Sequence, residues 1–98
     1  MNILNNMSKS NLETKFEMSC MLVKTLTKPP SDNDLLYLYG MYKQATVGNC
    51  DVKEPFKFNI KNHAKWNAWN MNKDIEKSVA MAFYIAKVDD IFAALRRT

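Results

Sequence analysis

"YGMYKQATVGNC", residues 39–50, puts two tyrosines and a lysine, Tyr39, Tyr42 and Lys43, on one helical turn just before Gly48. Positions three and four apart share a helix face, so the spacing predicts two rings and an ammonium group pointing the same way. Simple packing seldom needs that combination, whereas a planar, phosphorylated ligand does. Upstream, Leu35 and Leu38 extend an apolar stripe through Tyr42 to Ala45, which predicts a helix over 32–46. Ser31, three residues before Asp34, supplies its N-cap. Gly48 suits the left-handed position just past its end.

Outward from this helix the remaining pattern is also helical. Ser10 and Glu13 form a capping box, and Leu12, Phe16, Ser19 or Cys20, Val23 and Leu26 recur every three or four residues, predicting a helix over 11–26. Pro29 and Pro30 end it. "NCDVKEPFKFN", 49–59, has turn residues at both ends and Pro55 in its middle, so it reads as a long loop. "IKNHAKWNAWNM", 60–71, places Trp66 and Trp69 three apart on a short helix. Asn72 or Asp74 is the expected cap of a last helix, whose seam is Met81, Ile85, Val88, Phe92 and Leu95. The chain is thus predicted to be all-α, a four-helix bundle over 11–98 preceded by a mobile tail over 1–10.

Composition narrows the function. The chain has 98 residues, 47% of them hydrophobic and 24% charged, which suits one globular domain and excludes a disordered chain. Its longest apolar run, "AMAFYIA", is far short of a membrane span. No basic leader followed by a long apolar core stands at the N-terminus, so a cytoplasmic protein without a signal peptide is expected. The net charge of +4 suits an anionic partner, but no run of basic residues exceeds Arg96-Arg97, which argues against nucleic acid. Cys20 and Cys50 lack metal-ligand spacing, and a chain without a signal keeps both reduced. With His63 the single histidine, neither a metal site nor a histidine-based catalytic set can be assembled. Asp32, Asp34, Asp89 and Asp90 fall at helix starts or exposed helix positions, where capping and solvation account for them. No enzyme is predicted.

What remains is aromatic and basic. Besides Tyr39, Tyr42 and Lys43, the sequence offers Lys65 beside Trp66, Lys24 near the end of the first helix, and Tyr84 beside Lys87. Rings of this kind also fill small cores with their polar ends at the rim, and lysines lay their stems along apolar surface. Core packing is the expectation for Trp66 and Trp69. For Tyr39, Tyr42 and Lys43, periodicity leaves packing and ligand binding equally open, as it does a nucleic-acid module or a purely structural bundle.

"YGMYKQATVGNCDVKEP" followed by "KNHAKWNAWN" resembles the signature of the acyl-CoA-binding protein family, Y-x-x-Y-K-Q-A-T-x-G-[DN] and then K-W-x-A-W. The similarity runs over about residues 12–95 and includes "LVKTL", "KPPSD" and "AMAFYIAKVDDI". It departs chiefly at "MNKDIEKSVAM", which lacks the glycine usual in that turn. The resemblance implies an up-down-down-up bundle that binds long-chain acyl-CoA thioesters without altering them, needs no cofactor or metal, acts as a monomer and passes its ligand to membranes or enzymes. By the same resemblance Tyr39, Lys43 and Lys65 surround the ribose 3′-phosphate and Tyr42 stacks on adenine. Lys24 and Tyr84 face the nucleotide from the first and last helices. Val23, Leu35, Leu36 and Ala64 lie along the acyl chain, and Cys20 stands where the family usually has a small residue.

Overall fold

The computed structural model describes residues 9–97. Four helices follow in order: α1 (Asn11–Val23), α2 (Asp32–Thr46), α3 (Ile60–Asn70) and α4 (Lys77–Arg96). There is no strand among the described residues. Most of the expected tail, residues 1–8, lies outside them. Its last two residues belong to the entry of α1: Ser10 Oγ accepts from Glu13 N at 3.1 Å, and Lys9 Nζ pairs with Glu17 at 2.8 Å. Ser31 caps α2 in the same way, accepting from Asp34 N at 3.2 Å.

Two boundaries differ from expectation. Helix α1 stops at Val23 with Lys24 as its C-cap, so Leu26 lies in the connection, its amide donating to Val23 O at 3.4 Å as the helix tightens into a three-residue turn. Glu76, rather than Asn72 or Asp74, is the N-cap of α4. Asn72 instead closes the end of α3, its Nδ2 donating to Ala68 O at 3.0 Å. Asp74 takes φ 70°, the left-handed conformation for which the sequence supplies no glycine in this turn, and which Asp adopts more readily than most residues. Asn49 holds it there. Asn49 Oδ1 accepts from Asp74 N at 2.8 Å, and Asn49 Nδ2 donates to Asp74 Oδ1 at 3.2 Å. Gln44 Nε2 joins the same cluster, donating to Asn49 Oδ1 and Ile75 O, both at 2.9 Å, and so ties the end of α2 to the α3–α4 turn.

Side-chain pairings fix the helix directions. Tyr39 meets Lys65, Gly40 meets Ala68 and Lys43 meets Trp69, so α2 and α3 run parallel. Asp34 meets Lys87, Tyr42 meets Tyr84 and Gln44 meets Ile75, so α4 runs against α2. Helix α4 packs on both α1 and α2, α3 packs on α2, and the backbones of α1 and α2 stay apart. The result is an up-down-down-up bundle with α2 and α4 at its centre. Its core is Phe16, Leu38, Met41, Ala45, Ala80, Tyr84 and Val88. The core-facing stripe of α2 is therefore Leu38, Met41, Gln44 and Ala45, while Leu35 and Tyr42, expected on it, are 43% and 44% exposed. That rotation turns Leu35 and Tyr42 toward the gap between α1 and α2.

Candidate ligand site

The gap between α1 and α2 holds a cavity of about 380 Å³. Its floor is aromatic: Tyr39 and Tyr42 from α2 and Tyr84 from α4, with Lys24, Val23 and the Pro29–Pro30 corner closing the other side. Phe16 of α1 backs this floor. Its ring stacks on Tyr42 at 5.9 Å and meets Tyr84 edge-on at 5.1 Å, which leaves the other face of Tyr42 for a partner. Burial keeps the Tyr84 phenol neutral well above its ordinary range, and the neighbouring Cys20 thiol pushes it further the same way. The Cys20 thiol is itself raised, first by burial. Neither group is an anion at physiological pH, so the positive field of the Lys24 ammonium is not offset from these neighbours.

A second cavity, about 410 Å³, lies along the α2–α3 seam and is lined by Leu35, Leu36, Ile60, Ala64, Tyr39 and Lys65, with Asp32 and Lys61 at its edge. Its walls are mainly apolar side chains. A third, of about 230 Å³, is bounded by Tyr39, Lys65, Trp66 and Trp69. Tyr39 lines all three. It is thus the partition between an aromatic chamber that holds Lys24 on one side and, on the other, a groove of mainly apolar walls edged by Lys61 and Lys65.

The lysines are parked on rings. Lys65 Nζ lies 4.8 Å from the centre of the Tyr39 ring, and Lys43 Nζ lies 4.7 Å from that of Trp69. Contacts of this type are worth about 0.5–1 kcal/mol at exposed sites, less than a charge-assisted bond to an anion, so an anion would draw both ammonium groups away. The tryptophans have a further task in holding the α2–α3 loop. Trp69 Nε1 donates to Gly48 O at 2.7 Å and Trp66 Nε1 to Val52 O at 2.8 Å, and His63 Nε2 pairs with Glu54 at 2.7 Å. Gly48 has the left-handed backbone expected of it, with φ 100°.

The residues singled out from the sequence thus fall into separate groups. Lys24, Tyr39, Tyr42 and Tyr84 converge on the chamber, joined there by Val23 and Leu35. Leu35, Leu36, Ala64 and Lys65 line the groove with Tyr39. Tyr39 and Lys43 lean toward α3, whereas Tyr42 leans toward α1 and α4, so the three fan out around α2 instead of sharing one face. Lys43 lies against Trp69. Cys20 lies beyond Tyr42, in a separate hollow of about 470 Å³ shared with Phe16 and Met81.

Several contributors are not evident from residue type. Pro29 and Pro30, which end a helix in the sequence, also wall the chamber. Gly40 has no side chain to advertise its role, yet a Cβ there would stand 2.1 Å from Ala68 O, so only glycine lets α3 come close enough to α2 to shape the groove. Gln44, 1% exposed, carries a signal that sequence does offer, a polar side chain on the apolar stripe beside Met41 and Ala45. Among the described residues, no group of three His, Cys, Asp or Glu side chains is placed to hold a metal ion, and no helix is long and apolar enough to cross a membrane.

Comparison with known proteins places this architecture. Residues 13–88 match the family model described as Acyl CoA binding protein. The chain is 45% identical over 83 residues to the acyl-CoA-binding protein of Gossypium hirsutum, covering 85% of this chain and 93% of that one. It is 44% identical over 79 residues to the diazepam-binding inhibitor-like 5 protein of Rattus norvegicus, covering 81% and 91%. Among solved structures, that of Oryza sativa acyl-CoA-binding protein 2 superposes with a TM-score of 0.84 at 40% identity, covering 90% of this chain and 98% of that one. The yeast acyl-coenzyme A binding protein superposes with a TM-score of 0.65 at 43% identity, covering 81% and 92%. By sequence, helix order and fold, this chain belongs to the acyl-CoA-binding protein family.

Proposed function

We propose that the chain binds long-chain acyl-CoA thioesters without altering them and serves as a monomeric intracellular carrier and store for them in the cytoplasm. The observation that carries the reading is the position of Tyr39, between an aromatic chamber that holds Lys24 and a groove of mainly apolar side chains, with the Lys65 ammonium over its ring. A CoA ester has that same division, an anionic nucleotide joined to a hydrocarbon chain. In the proposed complex the Tyr42 ring stacks on adenine, and Tyr39, Lys43 and Lys65 surround the 3′-phosphate. Lys24 and Tyr84 complete the nucleotide side. Leu35, Leu36 and Ala64 flank the acyl chain, Val23 instead stands in the nucleotide chamber beside Lys24, and Cys20 lies behind Tyr42 as a small apolar group. Neutral Cys20 and Tyr84 offer no activated nucleophile, in keeping with binding rather than catalysis.

Both halves of the ligand contribute. A buried methylene is worth about 0.8 kcal/mol, so a sixteen-carbon chain offers on the order of 10 kcal/mol before ordering costs. Charge-assisted bonds to the head add roughly 1.5–3 kcal/mol each. Titration calorimetry with palmitoyl-CoA, free CoA and palmitate tests this, the ester expected to bind far more tightly than either fragment. Equal affinity for CoA and palmitoyl-CoA would remove the groove from the account. A steep loss of binding with salt but no dependence on the acyl group would point to a nucleic-acid site instead.

A further inference from the structure

The α2–α3 loop carries two exposed rings, Phe56 and Phe58, that line none of the cavities described above, and Ile60 at the start of α3 extends the patch to the groove. Phe56, Phe58 and Ile60 are 75%, 82% and 77% exposed. The two phenyl rings stack on each other, 5.4 Å apart and 9° from parallel, above a turn closed by Asn59 N donating to Phe56 O at 3.0 Å. Stacking shields one face of each ring and leaves the outer faces in water. Unlike apolar side chains exposed singly, two stacked rings beside Ile60 form a contiguous apolar patch, a cost to the isolated protein that marks a contact surface.

The charges around the patch identify what it meets. Residues 53–61 contain three lysines, Lys53, Lys57 and Lys61, against one carboxylate, Glu54. Glu54 is already engaged by His63 Nε2 at 2.7 Å. Lysines interleaved with exposed aromatic and aliphatic residues suit a bilayer boundary, where rings enter between headgroups and ammonium groups meet anionic lipid. A lysine stem can lie along the apolar side chains while its charge stays at headgroup level. A protein groove accepting Phe56 and Phe58 would gain little from three surrounding cations, whereas an anionic membrane gains from each. The patch also adjoins the groove, since Ile60 and Lys61 line the same cavity as Leu35, Leu36 and Ala64.

We propose that residues 53–61 dock the protein on anionic lipid bilayers, with Phe56 and Phe58 entering the headgroup boundary and Lys53, Lys57 and Lys61 binding the headgroups. This docking holds whatever fills the groove. With acyl-CoA as ligand, it brings the acyl side of the site to the surface from which such chains are exchanged.

The test is flotation of the full chain with phosphatidylcholine vesicles, with and without phosphatidylserine, at physiological salt. The parent is expected on the phosphatidylserine vesicles and largely absent from phosphatidylcholine alone. F56S/F58S should lower partitioning about tenfold or more, since each ring loses its apolar contact. K53E/K57E should lower it about 25-fold or more, at roughly fivefold per lysine before the added repulsion. Both variants should melt with the parent, because the altered side chains are exposed. A parent that stays off phosphatidylserine vesicles, or an F56S/F58S chain that floats as well as the parent, overturns the proposal. So does a parent dimer in sedimentation equilibrium that F56S/F58S dissolves, which would make the patch a contact between copies. Palmitoyl-CoA titration of the same chains separates the two readings, because a protein that floats but binds no ester leaves the docking intact and defeats the proposed ligand.

Discussion

The two faces of α2 are built on opposite terms. Toward α4 and α1 it presents Leu38, Met41 and Ala45, which interlock with Phe16, Ala80, Tyr84 and Val88 in an apolar core, with Gln44 buried on the same stripe. Toward α3 it presents Tyr39, Gly40 and Lys43, whose partners are Lys65, the Ala68 backbone and Trp69. The first interface is tolerant in kind, since apolar side chains of similar volume exchange at modest cost. The second depends on one missing Cβ, two indole hydrogen bonds and ammonium groups resting on rings. The α4 side is filled by side chains, and the α3 side leaves cavities lined by Tyr39 and Lys65. The stability that the α3 side does supply comes from few residues, so single substitutions there should separate folding from binding.

Trp69 tests how much of the fold that face supports. It is 4% exposed and its indole N–H is bonded to Gly48 O. Trp69→Ala is expected to destabilise the protein by about 3–5 kcal/mol, the range for emptying a large buried site, read by urea or thermal unfolding. A melting temperature equal to the parent's would show that α3 is only draped on the bundle. Gly40→Ala probes the same seam from the other helix. With Ala68 O only 2.1 Å from the new Cβ, the clash is with backbone and cannot be relieved by a rotamer change. The expected loss is about 3 kcal/mol, the upper end for overpacking, although alanine is the better helix former. A stabilised Gly40→Ala protein would mean that α3 slides freely on α2.

Lys43 distinguishes the ligand role from the structural one. Lys43→Ala should cost the fold about 0.5–1 kcal/mol through the lost contact with the Trp69 ring. Palmitoyl-CoA binding should weaken by about 1–3 kcal/mol, the loss of a charge-assisted partner. Esters of dephospho-CoA, which lack the 3′-phosphate, should be weakened much less. Equal losses for the two esters in calorimetry would remove Lys43 from the phosphate.

The contrast between the faces also governs what the sequence disclosed. Helix number and order were readable because capping boxes, the Pro29–Pro30 break and three-four apolar spacing are local signals. The periodic stripe of α2 lies about a quarter-turn from the buried one, since Leu35 and Tyr42 are as apolar or aromatic as true core residues and line a cavity instead. Periodicity reports that a face is apolar, not whether protein or ligand covers it. The chamber residues Lys24, Tyr42 and Tyr84 stand out by residue type, but only family resemblance joins them in one site, since no local pattern links three separate helices. Gly40 was invisible for the opposite reason, as its part is to be absent. The Asn49–Asp74 cluster depends on residues twenty-five apart in sequence meeting at a turn, which only the parallel packing of α2 and α3 brings about.

The finest test lies within α2, between its two tyrosines. Tyr42 is 44% exposed and backed by Phe16, so the free face of its ring is what it has to offer. Tyr39 stands between chamber and groove with the Lys65 ammonium over its ring, and in the proposed complex its hydroxyl reaches the phosphate. Stacking requires only the π-face, so Tyr42→Phe should keep nearly all affinity for palmitoyl-CoA while Tyr42→Ala loses roughly 1–3 kcal/mol. At Tyr39 the hydroxyl is the working group, and Tyr39→Phe should cost about 1 kcal/mol through a lost hydrogen bond to an anion. Both Phe variants keep ring volume and should melt with the parent. If the two tyrosines only packed the α2 surface, neither Phe change would alter binding. Calorimetric titration of the three variants against the parent decides the matter. A Tyr42→Phe protein as impaired as Tyr42→Ala, or a silent Tyr39→Phe, would show that the two rings do not divide the nucleotide between stacking and phosphate.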